Sequence, residues 1–184
     1  MKKIYYKVKN YFRKIYRISS NPKKFVSIVW NDLLELHKDA QWKYGIYETE
    51  KYIETSFEIA PDVVRDYYYM IYNDNFHCRV KIIENFDWES TTDLFVLAAH
   101  FNNLLNTGTV TINVEGKYVE YHVKSDLIIH LIYNGELYNV LRRHFNVSKD
   151  IYWAFDKLMN EQEEPAIIIA DLIKMNEEKN TANQ

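Results

Sequence analysis

Glycine is scarce in this 184-residue chain, which contains only Gly45, Gly108, Gly116 and Gly135. The dinucleotide-binding fingerprint and the phosphate-binding loop of ATPases both need closely spaced glycines, because the backbone must approach the phosphates. No two glycines of this chain are close enough for either motif. The sequence therefore excludes these two modes of nucleotide binding.

Cysteine and long apolar runs are equally rare. Cys78 is the single cysteine, which excludes an intrachain disulfide and favours a reducing compartment. The longest apolar runs cover residues 94–99 and 166–170, whereas a helix that crosses a bilayer needs roughly 20 residues. We therefore predict a cytoplasmic protein without a membrane-spanning helix.

Acidic residues are missing from the beginning of the chain, where the first is Asp32. Residues 1–31 contain nine basic side chains, and residues 32–184 contain 14 basic and 26 acidic ones, a formal balance of −12. Such a separation of charge is typical of a basic arm that meets a polyanionic surface. We predict a basic amphipathic arm at 1–21, a single α+β domain at 22–175 and a disordered tail at 176–184.

The arm has the pattern of an amphipathic helix over residues 2–18. One face would be apolar, with Ile4, Val8, Tyr11, Phe12, Ile15 and Ile18. The opposite face would be basic, and it defines the predicted anionic-surface site: Lys2, Lys3, Lys7, Lys9, Arg13, Lys14 and Arg17. A helix with these two faces suits the interface of a membrane that contains anionic lipid.

Other functions of the arm remain open from the sequence. The apolar face could pack on the chain's own domain or on a second copy, with the lysines in solvent. Basic residues alternating with tyrosine and phenylalanine also suit nucleic acid, although the acidic body would repel a long polyanion. A secretory signal fits worst, because no apolar stretch in the arm extends beyond three residues.

The first half of the body predicts a helix followed by a three-stranded antiparallel meander. Pro22 suits the first turn of a helix that reaches residue 40. Its apolar face at helical spacing would be Phe25, Val26, Val29, Trp30, Leu33, Leu34 and His37. Residues 46–60 are expected to be extended, and 63–72 and 76–83 form two further strands around an Asn-Asp-Asn turn. A central helix follows, with a capping box from Ser90 and Gly108 as its stop. Its buried stripe would be Leu94, Leu97, Ala98, Phe101, Leu104 and Leu105.

The second half predicts another meander and terminal helices. Strands at 109–114 and 117–124 flank Glu115-Gly116, and residues 127–133 favour a third strand over the start of a helix. Helical patterns follow at 135–146, at 148–160 with Ser148 as the cap, and at 164–175.

Residues 46–160 resemble the YbjN family of proposed bacterial sensory transduction regulators. The resemblance rests on the central helix ending in Phe101-Asn102-Asn103-Leu104-Leu105-Asn106, followed by Thr109–Val114, Gly116 and Val119–Val123. It continues in an acidic-hydrophobic helix from Glu136 through Phe145 and in Ile151–Leu158. It implies a type III secretion chaperone-like α+β scaffold, with an antiparallel sheet from two β-meanders around a central helix. It also implies a frequently dimeric scaffold that binds other proteins and has no known catalytic residues. The arm and the helix at 164–175 lie outside the resemblance.

The histidines and the cysteine do not predict a reaction centre. His77 and Cys78 are adjacent on a strand, so their side chains point to opposite faces and cannot share a metal. His100 falls on the polar flank of the central helix. His122 and His130 could meet across neighbouring strands, but two histidines alone make a poor metal site.

Two charged groups have ordinary structural interpretations as well. One is an acidic loop that would favour a helix start, with Glu161, Glu163 and Glu164. The other is a basic group on one helix, with Arg142, Arg143 and His144. It could hold a carboxylate or phosphate, but a solvated helix face is the simpler interpretation. The sequence therefore predicts no catalytic residue, no cofactor and no metal site.

From these observations we predict a non-enzymatic, chaperone-like protein-interaction module of bacterial type. It would be a homodimer that binds an unidentified protein, with its arm on an anionic membrane surface. The alternative is a nucleic-acid-associated regulator that uses the same arm.

Overall fold

A computed structural model describes residues 11–12, 15–16, 24–133 and 135–182 of the chain. The fold is α+β, with one six-stranded antiparallel sheet in the order β1-β2-β3-β4-β6-β5. The strands are β1 (Tyr44–Tyr47), β2 (Tyr52–Ala60), β3 (Val63–Tyr72), β4 (Asn75–Ile83), β5 (Thr109–Asn113) and β6 (Tyr118–Asp126). The helices are α1 (Phe25–Asp39), α2 (Thr91–Leu104), α3 (Leu127–Ile132), α4 (Glu136–Asp156) and α5 (Pro165–Ala182).

The chain divides into two compact units that share strands of the sheet. Unit 1 consists of Met1–Thr55, Tyr68–Cys78 and Lys124–Arg142. Unit 2 consists of Ser56–Tyr67, Arg79–Val123 and Arg143–Gln184.

The core of unit 1 forms where α1 packs on α3. Helical spacing places one stripe of α1 in this core, and it consists of Val29, Trp30, Leu33 and His37. Tyr69 and Phe76 stack on neighbouring strands with ring centroids 6.4 Å apart, and both are buried. The prediction of a helix reaching residue 40 is confirmed in position and in the face that it buries.

The core of unit 2 forms where α2 packs on β5 and α5. Leu94, Leu97, Ala98 and Phe101 are buried, as the sequence predicts, and Phe101 stacks on Phe155 at 6.1 Å. The prediction was wrong for Leu104, which is the last residue of the helix and is 46 % exposed. Leu105 lies beyond the helix and is only half-buried.

The first meander has four strands instead of three. The segment predicted to be extended over 46–60 contains the end of β1, a turn and β2. The two strands pair antiparallel, with Ile46 opposite Ile53. Lys51 allows the reversal because it adopts a left-handed conformation, with φ of 51°.

The second meander is a two-stranded hairpin, since residues 127–132 form α3 and not a third strand. The carboxylate of Asp126 accepts a hydrogen bond from the backbone N–H of Ile128 at 2.8 Å, which caps the helix. Leu127, His130 and Leu131 are buried at helical spacing. An apolar run of six residues is compatible with a strand or with a helix, and the Asp126 cap favours the helix.

Two predicted caps are also wrong. Ser90 makes no capping bond, because a 3₁₀ turn at Trp88–Ser90 leads directly into α2 and gives Ser90 near-helical backbone angles. Ser148 does not begin a helix, since α4 runs through it without a break. The last helix reaches Ala182, over most of the segment that the sequence predicts to be a disordered tail.

Candidate protein-interaction surface

Strand β1 forms one edge of the sheet and has no second strand partner within the described residues. Gly45, Ile46 and Tyr47 are exposed along this edge, and the last two side chains are 46 % and 47 % exposed. An edge strand presents backbone N–H and C=O groups that can pair with another polypeptide. Neither Pro nor Lys interrupts Tyr44–Tyr47, so β1 carries none of the usual residues that discourage such pairing.

A row of tyrosines crosses unit 1 next to this edge. Tyr47 of β1 and Tyr52 of β2 are directly opposite in the strand register, and their ring centroids are 4.9 Å apart. Tyr52 stacks in turn on Tyr68 of β3 at 5.7 Å, with only 13° between the ring planes. We call Tyr47, Tyr52 and Tyr68 the tyrosine row. Partly exposed tyrosines suit protein binding because the ring contacts apolar groups while the hydroxyl stays hydrated.

The turn that joins β1 to β2 is fastened to α1. The indole N–H of Trp30 donates to Glu48 Oε2 at 3.0 Å, and Lys51 Nζ donates to the same oxygen at 2.8 Å. These donors, Lys51 first, lower the pKa of the Glu48 carboxyl. The Lys51 ammonium also lies 5.2 Å from the centre of the Trp30 ring. These contacts hold the β1 edge in one position, as a binding surface requires.

At the opposite edge of the sheet, the side chain of Asn102 binds the backbone of β5 at Val110. Its side-chain oxygen accepts the N–H of Val110 at 2.7 Å, and its side-chain nitrogen donates to the Val110 carbonyl at 3.0 Å. Asn102 therefore occupies the backbone groups of Val110, one residue of β5, as a neighbouring strand would. The two sheet edges are unequal, and β1 is the one open to another polypeptide.

All seven residues of the predicted anionic-surface site, from Lys2 to Arg17, lie outside the described residues. The described part of the arm is helical at residues 11–12 and 15–16. Its side chains are exposed, with Phe12 at 64 % and Ile15 at 45 %.

Three histidines lie inside the fold as neutral rings. Burial lowers the pKa of His37, His130 and His144, and it brings that of His144 to about 3. His37 lies among Trp42, Tyr44 and Tyr69 with ring centroids between 5.1 and 5.8 Å away. Rings buried in this way are core groups, because a substrate in solvent cannot reach them to exchange a proton.

The remaining candidate residues stay apart. Cys78 is fully buried, and burial raises the pKa of its thiol, while the neighbouring His77 is half-buried. His122 lies 4.0 Å from Glu120, whose carboxylate already accepts both Arg79 Nε at 2.9 Å and Arg79 Nη2 at 2.8 Å. Because residues 127–132 form a helix, the strand geometry needed for a His122–His130 pair is missing from the described fold.

Neither of the two charged clusters named in the sequence analysis forms a single site in the structure. Arg142 and Arg143 are exposed, but His144 is buried and cannot join them in holding an anion. Lys157 pairs with Glu163 at 3.0 Å and with Glu161 at 3.3 Å, and these carboxylates raise its pKa.

An acidic cleft of about 650 Å³ lies in unit 2, and its carboxylates are those of Glu89, Asp93, Glu163 and Glu164. His100 lies along the same cleft and is half-buried. Over 24–133 and 135–182, and in the short described pieces of the arm, no group of three or more His, Cys, Asp or Glu side chains is placed to hold a metal ion.

Among the described helices, none is long and apolar enough to cross a membrane.

Sequence reasoning missed both the tyrosine row and the role of Asn102. The abundance of tyrosine, 16 residues, was the available signal for a broad amphipathic surface. The strand register that brings Tyr47 opposite Tyr52 depends on a turn at Glu48–Lys51 that the sequence pattern did not reveal.

No family model matches this chain. No curated protein matches it in sequence either. Solved structures match at the level of fold. YbjN from E. coli, described as a transcription regulator on a provisional basis, aligns with a TM-score of 0.51 at 8 % identity, over 71 % of this chain and 93 % of that one. The ExsC–ExsE complex aligns with a TM-score of 0.49 at 8 % identity, over 69 % and 92 %. This chain has a YbjN-like fold.

Proposed function

We propose that this chain is a non-enzymatic protein-interaction module, chaperone-like in fold, that binds an extended segment of another protein at β1. The supporting observation is the inequality of the two sheet edges. Asn102 binds the backbone of β5 at Val110, while β1 exposes Ile46 and Tyr47 and contains neither Pro nor Lys.

Binding would use strand addition. A partner strand would pair with the outward backbone groups of β1, and alternate side chains would contact Tyr47 and the rest of the tyrosine row. Backbone pairing supplies affinity for many sequences, whereas the tyrosines select partners with apolar or aromatic side chains. This division suits a regulatory module that does no chemistry, as does the scatter of the histidines over separate elements.

The test compares three tagged full-length chains as bait in lysate from the native cell. Ile46→Lys places a charge on the edge strand, and Val64→Lys is the matched control because Val64 is 55 % exposed on β3. We expect one protein to be retained by the wild type and by Val64→Lys but not by Ile46→Lys. Identical sets of retained proteins on all three baits would contradict strand addition at β1.

We propose in addition that the arm places the module on the anionic inner leaflet, with the chain in the cytoplasm. The charge separation favours this, with nine basic and no acidic side chains in residues 1–31. Lysines near an anionic surface contribute about 1 kcal/mol each. The exposed Phe12 and Ile15 are the apolar groups that would enter the interface.

Vesicle co-sedimentation tests the role of the arm and distinguishes it from the alternative. We expect binding to vesicles with acidic lipid, no binding to neutral vesicles, and loss of binding in salt, which shortens the Debye length to about 3 Å at 1 M. Polar replacement of Ile4, Val8, Phe12 and Ile15 should abolish lipid binding with every lysine kept. If that variant and the wild type ignore vesicles but bind duplex DNA equally, the arm serves nucleic acid instead.

A further inference from the structure

An apolar groove in unit 2 lies between the end of α2 and the helices α4 and α5. It has a volume of about 490 Å³. Phe101 and Leu172 line it and are buried, while Leu104 and Ile173 line it and are 46 % and 41 % exposed. Two apolar side chains left half in water beside a groove indicate a surface that another apolar element can cover.

The groove belongs to the acidic part of the molecule. Unit 2 contains 17 acidic and nine basic residues, a formal charge of −8. The groove itself is lined by Asp150 and Glu177 as well as by Arg143, so its lining also has an acidic balance. A helix that binds here should therefore have one apolar face and basic residues on the other.

The arm of this chain has that composition. Ile4, Val8, Phe12 and Ile15 follow one another at spacings of four, four and three residues, which places them in one row on a helix. Such a row is the pattern by which an amphipathic helix enters an apolar groove. The remaining face is basic and contains no acid.

The described part of the arm is not covered by its own chain. Phe12 and Ile15 remain 64 % and 45 % exposed. One chain therefore combines an arm with an apolar row in its sequence, exposed at Phe12 and Ile15, and an apolar groove in an acidic unit.

We propose that the groove binds residues 2–18 of a second copy of this chain. The apolar row of the arm packs against Leu104 and Ile173, and its lysines face Asp150 and Glu177. Each copy gives one arm and receives one, so that a closed pair buries both grooves.

This pairing would also control the arm. The apolar row that enters the groove is the same row that would enter a lipid interface, so the two states exclude each other. Only this competition rests on the proposed membrane role. The pairing itself stands on the groove and on the charges of the two surfaces.

Crosslinking between differently tagged copies tests the pairing directly. One full-length copy carries Ile15→Cys and the other carries Ile173→Cys, and a short bismaleimide joins the two thiols. Cys78 adds little background because it is fully buried. Ile167→Cys is the matched control, since Ile167 is 48 % exposed on the same helix but does not line the groove.

We expect a crosslinked heterodimer from the Ile173→Cys mixture, at a yield at least tenfold above that of the Ile167→Cys mixture. Equal yields from the two mixtures would overturn the proposal. So would crosslinks that form only within single chains carrying both Ile15→Cys and Ile173→Cys.

Light scattering of the full chain gives the second measurement. We expect a dimer for the wild type and for Ile167→Lys, and a monomer or an at least tenfold weaker dimer for Leu104→Lys with Ile173→Lys. A wild-type monomer, or a dimer that this double change leaves intact, would overturn the pairing.

Crosslinked dimers that do not bind anionic vesicles would refute the membrane role and leave the pairing supported. Vesicle binding without crosslinks would refute the pairing alone.

Discussion

The imidazole of His144 stacks on the ring of Tyr121, with ring centroids 5.0 Å apart and 16° between the planes. Tyr67 meets the same imidazole nearly at a right angle, at 5.6 Å and 87°. The site is enclosed, and burial brings the pKa of His144 from 6.5 to about 3. His144 is therefore neutral in the folded chain at physiological pH, and a proton can reach it only at the expense of stability.

We expect the free energy of unfolding to fall as the pH drops below 6.5. The unfolded chain then binds protons that the folded chain does not, which favours unfolding by about 1.4 kcal/mol per pH unit for each such histidine. His144 alone should remove about 2 kcal/mol between pH 6.5 and pH 5, and His37 and His130 act in the same direction. Urea unfolding at pH 7 and pH 5 measures the loss. His144→Phe should lose less stability over this range, and an equal loss in both proteins would contradict the assignment.

Phe101 should matter far more to stability than Leu104, one turn later on the same helix. Phe101 is 2 % exposed and stacks on Phe155, so Phe101→Ala should reduce the free energy of unfolding by about 3–5 kcal/mol. Leu104 is 46 % exposed, and Leu104→Ala should cost less than about 1 kcal/mol. Chemical denaturation of the two variants gives both values, and similar losses would show that α2 lies differently on the core.

Removing the Asn102 side chain should open the β5 edge. Asn102→Ala loses two hydrogen bonds to Val110, and we expect a loss of about 1–2 kcal/mol. Asn103→Ala is the control, because Asn103 is an exposed neighbour on the same helix. Hydrogen exchange at the Val110 amide should become faster only in Asn102→Ala. Unchanged exchange would mean that the helix itself, and not Asn102, protects this edge.

Replacing only one member of the Arg79–Glu120 pair should reduce the free energy of unfolding. Glu120 is only 7 % exposed, and Arg79 binds both of its carboxylate oxygens at 2.8–2.9 Å. Arg79→Met leaves a poorly hydrated carboxylate, which should cost about 1–3 kcal/mol, while Arg79→Met with Glu120→Met should recover part of that loss. A double-mutant cycle measures the coupling, and additive losses would indicate that the two side chains act independently.

The periodic elements of this fold could be predicted from sequence, and the positions at which the chain changes direction could not. Alternation predicts β4, and helical spacing predicts the buried faces of α1 and of α2 as far as Phe101. The prediction of a strand at 127–133 was wrong. The sequence Leu-Ile-Ile-His-Leu-Ile at 127–132 has apolar residues at the spacing of a strand and also at the spacing of a helix. The helix is selected by a hydrogen bond from the Ile128 N–H to the Asp126 carboxylate, and the spacing of apolar residues does not reveal such a bond.

Ser148 shows a second limit of the same kind. A serine that begins a helix and a serine inside one look alike in sequence. Here the Ser148 hydroxyl donates to the Phe145 carbonyl at 2.7 Å and accepts from Tyr67 at 2.6 Å, and burial raises the pKa of that tyrosine to about 12. Tyr67 lies 81 residues away in sequence. A pattern read over neighbouring residues therefore cannot show that Tyr67 is the hydrogen-bond partner of the buried Ser148. The same is true of the tyrosine row, which depends on strand register.

The strand order also constrains how the chain can fold. Strands β1 to β4 follow one another along the chain, and β5 and β6 form a local hairpin, so both parts need only short loop closures. The pairing of β4 with β6 instead spans residues 84–117, which include all of α2 and β5. Because closing such a loop loses entropy before contacts are gained, this pairing is expected to set the folding rate. Substitutions along the β4–β6 seam, including Arg79 and Glu120, should then slow refolding, while substitutions in α1 should mainly accelerate unfolding.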